Sequence, residues 1–315
     1  MNNITEQVEA FIDFKHGLGI KFHTQAACLR QFARFAESVG HIGPIDVEIA
    51  CMWARSGVGH ARGYEISRYE QVRRLSDFCR AFDESLPQLQ PGLLGKMGNR
   101  VDPYIYSDED ISLLMYAAGA IHDVYPLRPL SNQFLVGLLR ATGMRPSEAL
   151  NLTNDDIDEK KSTILVKDSK GKSRLLPITD STLEAIAVYR DKRDKMRPDF
   201  KCENLLISSF GGPLIVNRAD EAFKEYRHVL LKRGEVWGRR PPRLYDIRHS
   251  FCCWTIIRWY EDGRNVASLM PILSNYMGHE HIAHTYWYLS NVPELLSIAC
   301  EAFREMAVGE VFSDE

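Results

Sequence analysis

Four separated stretches of this sequence hold residue types that grip anions or move protons. In ATGMRPSEALNL, Arg145 follows a helix end and a glycine turn. Pro146 suits the first position of a new helix, and Glu148, three residues on, is placed to hold the guanidinium. In the second stretch, Lys167, Lys170 and Lys172 crowd a short turn. In RLYDIRHSF, Tyr245, Arg248 and His249 share a helical segment, with 245 and 248 on one face. Arg248 opens a strongly apolar run, so it stands at the edge of a core and needs an anion or a carboxylate beside it. The fourth stretch, GHEHIAHTYWYLS from Gly278 to Ser290, packs three histidines and two tyrosines together. Each stretch also has a plain reading: a capping ion pair, a solvated turn, an arginine paired at a core edge, a packed aromatic helix.

The histidines raise a metal site first. A zinc-protease H-E-x-x-H motif fails by one residue, since Ala283 stands where the second histidine belongs. His281 and His284 have clip spacing, but no further Cys, His or Asp pair supports them. The seven cysteines include no C-x-x-C, so neither a disulfide framework nor a zinc knuckle is expected. Cys252 and Cys253 fall inside an apolar helical run and read as core. No metal and no cofactor are expected.

The elements that must position these groups follow from periodicity. Residues 1–90 read as a helical domain. In TQAACLRQFARFAESVG, Ala27, Leu29, Phe32, Phe35 and Ala36 recur near helical spacing. EISRYEQVRRLSDFCRAFDE does the same with Ile66, Tyr69, Val72, Leu75 and Phe78. Arg30 and Arg34 on the first, and Arg68, Arg73 and Arg74 on the second, form basic outer faces. Such faces are ordinarily solvated, though two in one small domain suit phosphate contacts. The proline- and glycine-rich run from Pro87 to Pro103 argues against a continuous element, and residues 91–102 are taken as a linker. A second domain, 103–315, starts with a helix capped at Ser107 and Asp110. It continues with an apolar helix closed by Gly143. Two β-rich runs, Thr163–Val166 and Leu175–Ile178, form a hairpin, and a long helix then ends at Gly263. The fold class expected is mainly α with a small β-sheet (α+β).

With 45% apolar and 26% charged residues, the 315-residue chain can bury a good core. The longest apolar run, Phe251 to Ile257, is far short of the roughly 18 residues a membrane span needs. The N-terminus lacks a basic-then-apolar leader pattern, so a cytoplasmic protein with no membrane partner is expected. A net charge of −3 is awkward for a nucleic-acid ligand. The acidity is local, however: the last 15 residues carry five acids against one arginine, while residues 1–100 carry 12 Lys and Arg against 11 Asp and Glu. A basic concave face elsewhere is compatible with this balance.

Taken in order, the motifs resemble the tyrosine recombinase, or phage-integrase-type, family. They are R-x-x-E after a glycine turn, a lysine hairpin, an R-H helix, and G-H followed nine residues later by Tyr. The resemblance covers about residues 103–292, and LYDIRHSF and MGHEHIAHTYWYL look most like transposon- and integron-type integrases. It implies a DNA-clamping, core-binding role for the first domain and a catalytic role for the second. It implies Arg145 and Arg248 as phosphate-binding arginines, Lys170 as the hairpin lysine with Lys167 and Lys172 still in play, His279 as the second His/Trp position, and Tyr288 as the nucleophile. Tyr245 stands where the family usually has His; a phenol donates a hydrogen bond to phosphate but is a poor base at neutral pH. Nine residues of unbroken helix turn about 900°, which would set Tyr288 opposite His279 and Tyr286 nearly on its face. Tyr288 therefore requires a helix break, expected around Ile282–Thr285.

The implied reaction is cleavage and rejoining of double-stranded DNA through a covalent 3′-phosphotyrosyl bond, with no metal or ATP, by a homo-tetramer on paired sites. Two guanidiniums would stabilise the charge that builds on the non-bridging oxygens, each worth on the order of 3–4 kcal/mol. The apolar tail (Leu295, Leu296, Ala299, Phe303) is expected to dock on a neighbouring protomer. The rival readings are a type IB topoisomerase-like enzyme, a DNA-binding relative with a decayed site, and a helical metalloprotein.

Overall fold

The structure is a computed structural model that describes residues 3–57, 59, 61–98, 102–122, 124–169, 172–231 and 240–291, with the side chains of 168, 169, 172 and 288–291 outside the description. The chain divides into two units, Met1–Arg100 and Val101–Glu315.

In the first unit, α1 (Ile4–Gly17) starts where the Asn3 side chain accepts the Thr5 amide, and α3 (Val47–Arg55) where Asp46 accepts that of Ile49. Together with α2 (His23–Ser38) and α4 (Arg62–Arg80) they enclose a core of Val8, Phe11, Leu29, Phe32, Trp53, Tyr69 and Leu75. Two expectations need correction. Ala27 is exposed, and Ala26 and Ala33 are buried in its place. Arg68 is not on an outer face: it is buried, its guanidinium lies 3.5 Å from the Trp53 ring centroid, and it donates to Ser56 Oγ at 3.0 Å. An aromatic face and a hydroxyl both help to hold a buried guanidinium.

Residues 87–98 form no helix or strand, yet they are held on the first unit as far as Leu94. Leu89 and Leu94 join its core, Tyr69 Oη donates to Gln90 O, and Arg62 Nη2 donates to Leu94 O.

The second unit has mainly α architecture with a small sheet, the fold class expected. Helix α5 (Asp108–Gly119) opens with a reciprocal capping box between Ser107 and Asp110. It packs on α6 (Leu127–Thr142), which ends at Gly143 in the left-handed region. Next come α7 (Pro146–Asn151) and three antiparallel strands, β1 (Ile157–Asp158), β2 (Thr163–Ser169) and β3 (Lys172–Pro177), in the order β1-β2-β3. Val166 pairs with Arg174 across β2 and β3, and the register shifts between Val166 and Ser169. Strand β1 was not foreseen, being two residues long. Helices α8 (Asp180–Met196), α9 (Val216–Tyr226) and α10 (His228–Leu231) complete one core, with Leu135, Leu139, Ile164, Leu176 and Phe223 among its residues.

A second cluster joins α11 (Asp246–Glu261) to α12 (Val266–Met277) through Cys252, Cys253, Ile256, Met270 and Met277. Tyr106 anchors the start of α11. Its amide donates to Ser250 Oγ, its hydroxyl donates to Arg243 O, and its carbonyl accepts Trp254 Nε1. The last described helix is α13 (Ala283–Asn291). Among the described residues, no helix is long and apolar enough to cross a membrane.

Candidate active site

Arg145 is placed by a turn and a helix start. Gly143 takes φ +61°, and a Cβ there would stand 2.3 Å from the Phe251 ring, so both the backbone and the space exclude a side chain. Arg145 is then the N-cap of α7, with Pro146 at the first helical position. Glu148 reaches back to accept the Arg145 amide at 2.8 Å and Nη1 at 2.6 Å. The capping ion pair read in the sequence is therefore present, and it orients the guanidinium.

The same carboxylate is shared. Arg174, on β3, donates Nη1 and Nη2 to the two Glu148 oxygens at 3.0 and 2.8 Å. Arg248, in the first turn of α11 and 1% exposed, brings Nη1 to 4.0 Å from Glu148 Oε2. All three arginines also close the carboxyl end of α12. Arg174 Nε donates to Tyr276 O at 2.8 Å, Arg248 Nη2 to Met277 O, and Arg145 Nη2 to Gly278 O at 2.8 Å. Arg248 Nη1 further donates to Gly143 O at 2.9 Å. Helix carbonyl ends carry partial negative charge, so guanidiniums gather there at low cost. Among the described residues, three guanidiniums thus gather at the Glu148 carboxylate, an arrangement that suits an anion.

His279 follows immediately. Gly278 adopts φ +65° and ends α12, the His279 amide donates to Ser274 O, and α13 restarts at Ala283. The expected helix break exists but lies earlier than Ile282–Thr285, because Gly278 takes the left-handed C-cap position. His279 sits inside the break, with Nδ1 2.7 Å from the fully buried Thr285 Oγ1. Burial and the nearby Arg248 and Arg145 charges push its imidazole down to about 3, so it is neutral at pH 7.

Tyr245 caps α11 from outside the helix and is 37% exposed, its ring 5.2 Å from that of buried His249. His249 in turn lies 6.3 Å from the Trp287 ring. Lys167 Nζ stands 2.6 Å from buried Asp156 Oδ1, which raises the lysine above its usual range. Lys170 lies outside the described residues, as do the Lys172 and Tyr288 side chains; the backbone of 288 belongs to α13. The tail residues 294–315 also lie outside the description. The His281 and His284 rings are 5.7 Å apart, but among the described residues no cluster of three or more Cys, His, Asp or Glu is set to hold a metal.

The structure therefore brings Arg145, Arg248 and His279 together, with Tyr245 at the N-cap of α11, three residues before Arg248. Arg174 was missed in the sequence. It lies in the lysine hairpin, where an arginine reads as one more solvated charge, and only tertiary structure brings it to Glu148.

Residues 108–294 match the model of the phage integrase family. This chain belongs to the phage integrase family. As a tyrosine recombinase it is, by class, a DNA strand transferase. It is 34% identical over 311 residues to the y4rB protein of Sinorhizobium fredii, which carries an integrase/recombinase name, covering 97% of this chain and 98% of the relative. It is 30% identical over 183 residues to tyrosine recombinase XerD of Mycobacterium tuberculosis, covering 58% of this chain and 54% of that one. Among solved structures, its fold resembles the Tn1549 transposon integrase in complex with a circular intermediate DNA, with TM-score 0.65 at 18% identity, covering 96% of this chain and 100% of that one. It also resembles a lambda integrase dimer bound to a core site, with TM-score 0.56 at 15% identity, covering 90% and 96%.

Proposed function

We propose that this recombinase cleaves and rejoins double-stranded DNA at specific sites through a 3′-phosphotyrosyl bond on Tyr288. The observation that carries the reading is the gathering of Arg145, Arg174 and Arg248 around the single Glu148 carboxylate, with His279 in the adjoining turn. A phosphodiester carries one negative charge and gains more on its non-bridging oxygens as substitution proceeds. Fixed guanidiniums stabilise that state beyond the ground state.

In this reading the Tyr288 oxygen attacks phosphorus, the P–O5′ bond breaks, and the 5′ oxygen leaves with a proton. The bond energy is kept in the phosphotyrosine, so rejoining is the same step reversed. Lys170 supplies the leaving-group proton, with Lys172 as the alternative; the Lys167–Asp156 ion pair argues against Lys167. His279, neutral at pH 7, hydrogen-bonds a phosphate oxygen. Tyr245 contributes a hydrogen bond rather than base chemistry. The helical first unit clamps DNA, and four protomers act on paired sites. A lambda integrase tetramer bound to a Holliday junction shares the fold, with TM-score 0.57 at 12% identity, which supports that assembly.

A nicked suicide duplex tests this. The parent protein is expected to trap a covalent protein–DNA adduct that Tyr288→Phe abolishes. No adduct in the parent would favour a DNA-binding relative with a decayed site, and an adduct that persists in Tyr288→Phe would place the nucleophile elsewhere. Relaxation of supercoiled DNA without recombination between paired sites would favour a topoisomerase-like activity.

A further inference from the structure

Arg174 has a different relation to the site from that of Arg145 and Arg248. Its Nε is given to the Tyr276 carbonyl and its Nη1 and Nη2 to the two Glu148 oxygens. These are three planar bonds in two directions, from a side chain only 11% exposed. One direction ends on the carboxylate that orients Arg145. The other ends on the last turn of α12, one residue before Met277 and three before His279. The fit is close. A Cβ on Gly278 would stand 2.9 Å from Arg174 Nη1 and 3.0 Å from Cζ, so the guanidinium packs against the bare α-carbon that makes the turn. Arg174 is anchored in β3 opposite Val166, and it therefore ties the lysine hairpin to both halves of the site.

We propose that Arg174 is a positioning residue for strand transfer. It fixes Arg145 through Glu148 and His279 through the carboxyl end of α12, without itself gripping the phosphate. A guanidinium meets this demand and an ammonium does not, because the three bonds lie in one rigid plane. The proposal rests on reading the site as one that cleaves a phosphodiester.

The test uses the full-length chain with Arg174→Lys and Arg174→Gln, under single-turnover conditions on the suicide duplex. Adduct formation at saturating protein is expected to fall about 100-fold in both, the cost of misplacing reacting groups by about 1 Å. DNA affinity, read by fluorescence anisotropy, should stay at the parent value. Adding Arg145→Lys to Arg174→Lys should lower the rate little further, since both act through one geometry. Amide exchange at Gly278 and His279 should quicken in Arg174→Lys, a change that an unrelated loss of stability would not confine to that turn. Variants that cleave as fast as the parent would overturn the proposal. So would a rate loss matched by an equal loss of affinity and multiplying fully with Arg145→Lys, which would make Arg174 a phosphate contact. Should Arg174→Gln fail to fold, Arg174→Lys decides. Should the parent form no adduct, the recombinase reading fails by itself. The exchange measurement then stands alone, unaltered exchange counting against Arg174 as a positioning residue and local quickening for it.

Discussion

Two places in the molecule bury arginine in different ways. In the first unit, Arg68 lies over Trp53 and bonds Ser56. One cation meets one aromatic face, and burial alone lowers its proton affinity. In the second unit, Arg145, Arg174 and Arg248 crowd one carboxylate and three consecutive helix carbonyls. The first arrangement rests on an aromatic face and a hydroxyl. The second brings three guanidiniums to the Glu148 carboxylate, and like charges held that close favour the entry of an anion. A buried arginine is therefore weak evidence for a site, whereas several converging on one place are stronger evidence.

Arg248 separates the two arrangements most sharply. Arg248→Ala should lower adduct formation about 100- to 1,000-fold and, by leaving the Gly143 and Met277 carbonyls without their donor, cost about 3 kcal/mol of stability. Single-turnover cleavage and urea unfolding read the two effects. Gly143→Ala attacks the same cluster through the backbone. Its Cβ would meet the Phe251 ring and its φ would be strained, for a loss of about 3 kcal/mol by unfolding. Arg68→Ala is the counterpart in the first unit: about 2 kcal/mol of stability lost, with the cleavage rate at saturating DNA unchanged. A rate collapse there would erase the distinction between the two arginines.

The smallest effect concerns acid. His279 sits at about 3 in the folded protein against an ordinary 6.5. Between those values the unfolded chain binds the extra proton, so stability is full above about pH 6.5 and declines as pH falls toward 3. His279→Gln should flatten that part of the Tm-against-pH curve. An unchanged slope would mean the imidazole is not held neutral.

Much of the site was legible because it is local. Gly143, Arg145, Pro146 and Glu148 form a turn, a cap and an ion pair within six residues, and each follows from short-range backbone rules. Arg248 declared itself by standing before an apolar run. Arg174 did not, because its partners lie 26 and 102 residues away, and only the packing of β3 on α7 and α12 brings them together. Arg68 was misread for a related reason. Helical spacing placed it between core positions, but the Trp53 ring from α3 extends over it. The helix break before Tyr288 was foreseen in kind and misplaced in position. The stop is set by the left-handed Gly278, upstream of Ile282–Thr285.

In the proposed reaction, the guanidiniums at 145 and 248 neutralise charge growing on one DNA phosphate. The direct measurement replaces the scissile phosphate of the suicide duplex with an uncharged methylphosphonate and assays the parent, Arg145→Ala and Arg248→Ala. If the claim holds, the two variants lose most of their defect on the neutral linkage, because the charge they no longer balance is gone. If they remain as impaired relative to the parent as on ordinary DNA, the arginines act on something other than that phosphate and the account is wrong.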